Sequence, residues 1–567
     1  MGAIQLHRCV KICCTVVAAL LLVSCSSKHY RASADKETAA VLAQKTPLVQ
    51  NMDTNFTVEA QGKSALDDLP LFEKTEEYFG PDADLEMNAR VISLEKALNL
   101  AVKQSHTYQN RKEDLYVRAL RLTLERHEYA PLFSGRSRGR TSRSTTQVRG
   151  GVDQIVERDV TGDQNAGLRM LSRAGTRLAT DFSTDFLRFI TGDPRLTSSS
   201  ALVGTLSQPL LRGSGARIAA ERLTQAERSF LYSMRDFTRY RKEFSVDIAS
   251  SYYNVLQNRD AVRNSWRGYQ NFKANVERER AFAEVGLRAR AQLEQLRQAE
   301  LSAESKWINA VRVYRQSLDK FKIDIGLPVE ADIVLDDSEL NKLEVVDPQL
   351  ALDEALEVAL ISRLDLETDR DELIDAERHI SVAKNAFLPQ LDAVGSANVS
   401  GNGRGGLSTP QWDRYRWNAG VDLDLPLNRK AQRNSYREAI IRHERAQRKL
   451  ALAVDNIKLQ LADDWRNLEQ AKRNYEISEV GVAIAAGRVE EQDLRQKLGR
   501  GTARDMVDAQ NDLIDSKNQR TSALVSHTVA RLRFWRDIGI LIIKENGEWD
   551  DVNRDDVVKQ ENEFSDN

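Results

Sequence analysis

The stretch Trp417-Asn418-Ala419-Gly420-Val421-Asp422-Leu423-Asp424-Leu425 turns one side to apolar and small residues and the other to polar ones. Trp417, Ala419, Val421, Leu423 and Leu425 share one face, while Asn418, Gly420, Asp422 and Asp424 share the other. A period of two is the signature of a strand with one dry side. Leu391, Ala393, Gly395, Ala397 and Val399 alternate with Gln390, Asp392, Ser396 and Asn398 in the same way, as do Leu178, Thr180, Phe182, Thr184 and Phe186 with Ala179, Asp181, Ser183 and Asp185. The pattern fits a transmembrane barrel strand. It equally fits a soluble, half-buried hairpin, so its surroundings must decide.

Outward from these strands the chain repeats itself. Leu94, Ala97, Leu98, Ala101, Leu115, Tyr129 and Pro131 recur as Leu352, Ala355, Leu356, Ala359, Leu373, Phe387 and Pro389 at one constant offset. Gly286 and Phe321–Gly326 recur as Gly499 and Phe534–Gly539, and Pro209 and Pro426 each close a strand-like stretch. Both halves follow one plan: a helix of about 40 residues, an extended region, a helix of about 70, a Gly turn, and a second helix of about 40. From Val91 to Ala130 and from Leu350 to Leu388 apolar residues keep helical spacing until Pro131 or Pro389 ends the run. None of the eleven prolines lies between Pro209 and Pro328 or beyond Pro426, which leaves room for very long helices. Leu223, Ala226, Phe230, Met234, Phe237, Phe244, Ile248, Tyr252 and Val255 form a single three-four seam. A 70-residue helix reaches about 105 Å, and with one apolar stripe it needs neighbours.

Composition narrows the class. The 567 residues carry 82 Lys+Arg against 84 Asp+Glu, and the mean hydropathy is −0.50. Balanced charge gives no footprint for nucleic acid, and the polarity excludes a bundle of membrane-spanning helices. Only Ile12 to Val23 approaches a span, behind His7, Arg8 and Lys11, and it has the length of a signal-peptide core. It runs into Leu22-Val23-Ser24-Cys25, which resembles a bacterial lipobox with Cys25 as the acylated residue. All four cysteines lie at or before Cys25, so no disulfide framework or cysteine metal site can form. Ser26 after the cysteine implies passage to the outer membrane of a Gram-negative cell.

The order and duplication of these features resemble the TolC-type outer-membrane efflux and secretion channels, in their lipoprotein branch. The likeness rests on the Ala-Leu-x-x-Ala helix starts, on Leu206-Ser207-Gln208-Pro209-Leu210-Leu211-Arg212-Gly213 and Leu423-Asp424-Leu425-Pro426-Leu427, and on the tips Val285-Gly286-Leu287 and Leu498-Gly499-Arg500-Gly501-Thr502. It implies a mainly α fold with transmembrane β: two tandem repeats whose long antiparallel helical hairpins build a trimeric α-helical tunnel. The tunnel continues into a shared 12-stranded β-barrel, about four strands per chain. One chain cannot close a barrel alone, since spanning barrels begin at about eight strands.

The expected divisions are a lipoprotein signal peptide over 1–24, a lipidated tether and extended segment over 25–90, a first repeat over 91–326, an equatorial linker over 327–349, a second repeat over 350–540, and an equatorial or disordered tail over 541–567. The resemblance further implies a homotrimer, a periplasmic adaptor protein of an inner-membrane pump, and contact with outer-membrane lipid. The function implied is a passive exit duct, not an enzyme, with no cofactor and no metal. The alternative is a lipid-anchored, periplasm-spanning coiled-coil scaffold without a pore.

Four candidate groups follow. Cys25 is the lipidation site. Asp505, Asp508, Asp512 and Asp515 fall at i, i+3, i+7 and i+10 on one helix face. In the family the positions matching Asp505 and Asp508 form acidic rings at the periplasmic entrance, which would favour cations; Arg500 is the candidate gate partner. Ala291, Gln292 and Gln496 depart from the family's gate pattern. Gly286, Leu287, Gly499 and Thr502 mark the helical tips, the expected adaptor contacts. Arg136, Arg138, Arg140 and Arg143 sit in a Ser- and Gly-rich stretch that reads as an exposed loop more readily than as a lumen lining. Gly213-Ser214-Gly215 is no dinucleotide turn, because Ile218 takes the third glycine position. The seven histidines show no metal-ligand spacing, and no Ser/His/Asp set is present.

Overall fold

Long helices and one antiparallel sheet account for most of the chain. The computed structural model describes residues 27–549 apart from 60–65, 67, 85, 148–153, 192–195, 286–288, 349, 404–409 and 499. In order, the elements are α1 (Ser27–Lys45), β1 (Arg90–Ile92), α2 (Leu94–Gln104), α3 (His106–His127), β2 (Leu132–Gln147), β3 (Gln154–Leu171), β4 (Arg177–Thr191), β5 (Leu196–Pro209), α4 (Glu221–Glu284) and α5 (Arg290–Asp324). The second half adds β6 (Ile333–Leu335), α6 (Leu352–Ser362), α7 (Leu364–Asn385), β7 (Gln390–Gly403), β8 (Tyr415–Asp424), α8 (Lys430–Lys497) and α9 (Ala503–Ile538). Single helical turns occupy Ala216–Ala219 and Ser338–Asn341. The chain divides into two compact units, one built around the sheet and one around the remaining helices.

In the first unit the sheet has six strands in the order β2-β3-β4-β5-β7-β8. The expectation of about four per chain is corrected here. The second half supplies two strands and the first half four, because a β3–β4 hairpin is inserted between β2 and β5. An inserted hairpin adds strands in pairs, so β5 still runs back toward its helix. The arginine-rich stretch expected as a loop is β2, fully paired with β3 from Leu132↔Arg169 to Gln147↔Gln154. Next to the sheet, helix ends are pinned by ions: Glu227 of α4 holds both Lys45 at 2.6 Å and Arg126 at 2.8 Å. Glu221 takes Arg378 at 2.7 Å, and Asp375 accepts from Tyr232 at 2.7 Å.

α1 corrects a second expectation, since a tether followed by extended chain was expected over 25–90. Thr38, Val41 and Leu42 are buried, Tyr116 donates to Asp35, and α1 ends on the Lys45 pair.

In the second unit β1 pairs parallel with β6, Arg90↔Ile333 through Ile92↔Leu335, and Tyr252 of α4 donates to the Ile92 carbonyl at 3.0 Å. Arg259, 1% exposed, is held by Glu86 and by Asp337 at 2.7 Å, and Tyr314 donates to the same Glu86 carboxylate. This buried network fastens the chain before β1 to α4 and α5. A separate apolar cluster joins Leu350, Ala355, Ala359 and Leu366 to Ile457, Leu461, Phe534 and Ile538.

The first helix of each half, expected to run about 40 residues, is broken in two. The breaks fall at Ser105 and Arg363, whose backbones are extended at ψ 125° and 118°. These are repeat-equivalent positions. Against the first sits Gly326 at φ +83°, where a Cβ would collide with the Gln104 carbonyl; against the second sits Gly539 at φ +96°, where a Cβ would lie 3.0 Å from Ser362 Oγ. Each long helix pair thus ends in a left-handed glycine wedged into the break of its own half. Gly326→Ala is expected to cost more than about 2 kcal/mol, from left-handed strain plus the clash. Gly481→Ala, with open space around it in α8, should gain up to about 1 kcal/mol. Thermal melts of both variants check this, and equal melting temperatures would refute the wedge.

Candidate functional site

The register sorts the sheet's side chains onto two faces. Leu168, Met170, Leu178, Phe182, Leu202, Leu206, Leu391, Trp417, Val421 and Leu423 share one. This face is apolar and open along β8, where Trp417 is 69% exposed and Val421 61%, and it turns polar further along the sheet at Gln164, Thr184 and Ser200, the last two buried. The opposite face carries Arg136, Arg138, Asp163, Asn165, Asp181, Ser183, Asp185 and Ser199, which line a concavity of about 950 Å³. Arg138 lies opposite Asp163, Asp163 opposite Asp185, and Asp185 opposite Ser199. Apolar outside and polar inside is the division a spanning barrel makes between lipid and lumen.

The four aspartates predicted as a set stay together. Asp505, Asp508, Asp512 and Asp515 are all exposed on α9. The Thr502 hydroxyl accepts from the Asp505 backbone N–H at 3.2 Å and caps the helix. Among the described residues the cations that pair with the stripe are Arg488, on Asp512, and Arg504, 3.9 Å from Asp508. No pair reaches it from Arg500, whose backbone N–H bonds the Arg495 carbonyl at 2.9 Å. Gln496 is buried and donates to Glu279 at 3.2 Å. Cys25, Gly286, Leu287 and Gly499 lie outside the described residues. No group of three or more metal-ligating side chains occurs among the described residues.

One polar feature escaped the sequence reading. Within the second unit, α4, α8 and α9 enclose a groove of about 610 Å³ lined by Asn254, Gln257, Asn467, Gln470, Asn474, Ser522 and Ser526. The signal was available: Asn467, Gln470 and Asn474 fall at i, i+3 and i+7, a stripe of uncharged polar side chains on one face of α8. Asp464 continues that stripe one turn earlier. Burial, then the neighbouring Asp537 charge, push its carboxyl up to about 7, while Arg536 holds Asp537 at 2.7 Å.

Comparison with known proteins separates sequence from fold. No protein-family model matches the chain, and no curated protein sequence does either. Solved structures match over most of its length. The Campylobacter jejuni CmeC outer membrane channel superposes with a TM-score of 0.57 at 14% identity, over 83% of this chain and 89% of that one. The open state of the Neisseria gonorrhoeae MtrE outer membrane channel gives 0.56 at 16% identity, over 79% and 89%. The Vibrio cholerae outer membrane protein VceC gives 0.52 at 13%, over 79% and 96%. The chain therefore shares the fold of these outer membrane channels.

Asp464 makes the helical unit sensitive to pH. Its folded value stands above the unfolded carboxyl's, about 3.9, so the folded state keeps a proton the unfolded state has released. Stability is then full below about pH 4 and declines as pH rises toward 7. Asp464→Asn should raise the melting temperature at pH 8 and change it little at pH 4, measured by calorimetry. An equal effect at both would show that the carboxyl titrates normally.

Proposed function

We propose that this chain is an outer-membrane channel: a lipid-anchored homotrimer that serves as the passive exit duct of a tripartite efflux or type I secretion system. Cargo would enter from an inner-membrane pump through a periplasmic adaptor and leave through a β-barrel shared among the copies. The observation that carries this reading is the sheet, with one face apolar and open along β8, an opposite polar face and two free edges. A soluble hairpin would bury its apolar face in its own unit; here Tyr415, Trp417, Val421 and Leu423 of β8 remain 59–69% exposed. The solved outer-membrane channels of the same fold support the same reading.

Lipidation at Cys25 would anchor the N-terminus. The tips at Gly286, Leu287, Gly499 and Thr502 would meet the adaptor. Asp505, Asp508, Asp512 and Asp515, repeated around a three-fold axis, would concentrate negative potential at the entrance and favour cations. In the single chain Arg488 offsets part of that charge at Asp512 and Arg504 part of it at Asp508; Asp505 and Asp508, which match the acidic rings of the resembled channels, are the members expected to act most.

The detergent-extracted protein is expected to have the mass of three chains of 64.1 kDa or slightly less each and to open ion-conducting pores in planar bilayers. A monomeric or dimeric rod that leaves the membrane when Cys25 is mutated would contradict the channel and favour the scaffold. For the entrance, the Asp505→Asn, Asp508→Asn double variant should lose cation preference, read as a shift of reversal potential toward zero in a salt gradient. An unchanged potential would remove the acidic stripe from the conduction path.

A further inference from the structure

The two free edges of the sheet are β2 and β8. Along β8 all ten residues are exposed, and on β2 Ser134 through Arg143 are exposed as well. In hydrocarbon an unpaired edge leaves a row of backbone N–H and C=O groups without partners. Six strands are also fewer than the about eight at which spanning barrels begin. The edges must therefore meet edges of other copies, and the repeat fixes how.

Pro131, before β2, recurs as Pro389 before β7; Leu206 and Pro209, near and at the end of β5, recur as Leu423 near the end of β8 and Pro426 just after it. Strand β2 is thus the repeat equivalent of β7, and β8 that of β5. The junction β5·β7 inside the chain, where one repeat's last strand meets the next repeat's first, is the equivalent of a junction β8·β2 between copies. The internal junction has a known register: Ser207 opposite Val394, Thr205 opposite Ser396, Val203 opposite Asn398. Carried across by the two repeat offsets, Ser207 becomes Asp424 and Val394 becomes Arg136. Thr205 becomes Asp422 and Ser396 becomes Arg138; Val203 becomes Gly420 and Asn398 becomes Arg140.

We infer that β8 of one copy pairs antiparallel with β2 of the next in this register, with Asp424 opposite Arg136 and Asp422 opposite Arg138 on the lumen face. The inference rests on the channel reading above and adds the partner surface and its pairing. The charges supply an independent check, because nothing in the offsets knows about them: two carboxylates on one edge fall opposite two guanidiniums on the other. Directly opposed, oppositely charged pairs favour a register, and like charges oppose it. The same register sets Leu423, Val421 and Ala419 opposite Ser137, Gly139 and Thr141 on the lipid face. In that position the small outward residues of β2 lie beside the apolar ones of β8. With six strands from each of three copies the barrel has eighteen, and at a strand spacing of about 4.8 Å and a tilt of about 40° its backbone diameter is about 36 Å. Twelve strands would give about 24 Å by the same geometry.

Paired cysteines test the register in the full-length chain, whose native cysteines all lie at or before Cys25. Asp424→Cys combined with Arg136→Cys should form disulfides between copies under mild oxidation, with a covalent ladder ending at three chains. Asp424→Cys with Arg140→Cys, four residues or about 14 Å out of register, should give at least a tenfold lower yield. The opposite preference would overturn the register. A ladder ending at two chains would overturn the eighteen-strand barrel while leaving the pairing intact. Charge reversal gives a second readout. Arg136→Asp with Arg138→Asp should lose the trimer peak in light scattering, and adding Asp422→Arg with Asp424→Arg should restore it. A trimer that survives the first pair of changes unaltered contradicts the ion pairs. A native protein that is monomeric in detergent and shows no cross-linked ladder contradicts the channel reading itself rather than this register.

Discussion

If the sheet spans a membrane as proposed, backbone hydrogen bonds that must be made without water are the constraint on which this architecture rests. Each strand carries polar groups on both edges, and hydrocarbon offers them nothing. Among the described residues one chain supplies six strands to this sheet and leaves two edges open. The number of strands in each half must also be even, because the chain leaves a helix, enters the sheet and has to return to the next helix. The first half satisfies this with four strands and the second with two. An insertion of a whole hairpin is compatible with the duplicated plan where an insertion of one strand would not be.

The helical unit answers a different demand. Helices of 64 and 68 residues with a single apolar stripe cannot enclose a globular core, so stability comes from local fastenings along their length. Three kinds are present. Left-handed glycines seat in the breaks at Ser105 and Arg363. Apolar clusters form where shorter helices lie alongside, as around Phe534 and Ile538. The third is the buried Arg259–Glu86–Tyr314 network, in which Arg259 and Tyr314 both bond the Glu86 carboxylate and whose disruption would leave an uncompensated charge. Along the groove lined by Asn467, Gln470 and Asn474 the packing surface is polar rather than apolar.

What could be read from the residues alone was whatever had a period. Alternation over 391–399 and 417–425 marked β7 and β8, three-four spacing marked α4, and two constant offsets exposed the duplication. What escaped had its cause elsewhere in space. β2 carries Arg136, Arg138 and Arg140 on one face and Gly135, Ser137, Gly139 and Thr141 on the other, so neither face is apolar and no alternation marks it. The breaks at Ser105 and Arg363 have no proline or glycine at the break itself; the cause is a glycine more than 170 residues away in each case. α1 buries only Thr38, Val41 and Leu42, too few to signal an amphipathic helix. The acidic stripe was legible as a stripe, whereas its pairing with Arg488 rather than Arg500 depended on how α8 and α9 lie against each other.

The central claim is that six strands of one chain become part of a closed barrel only when copies assemble. Electron cryo-microscopy of the lipid-reconstituted protein tests it directly. The account predicts a three-fold ring with six strands per copy, each β8 hydrogen-bonded to a neighbour's β2 and the polar face turned inward. A sheet that remains open, or that packs its apolar face against protein outside the membrane, would contradict it.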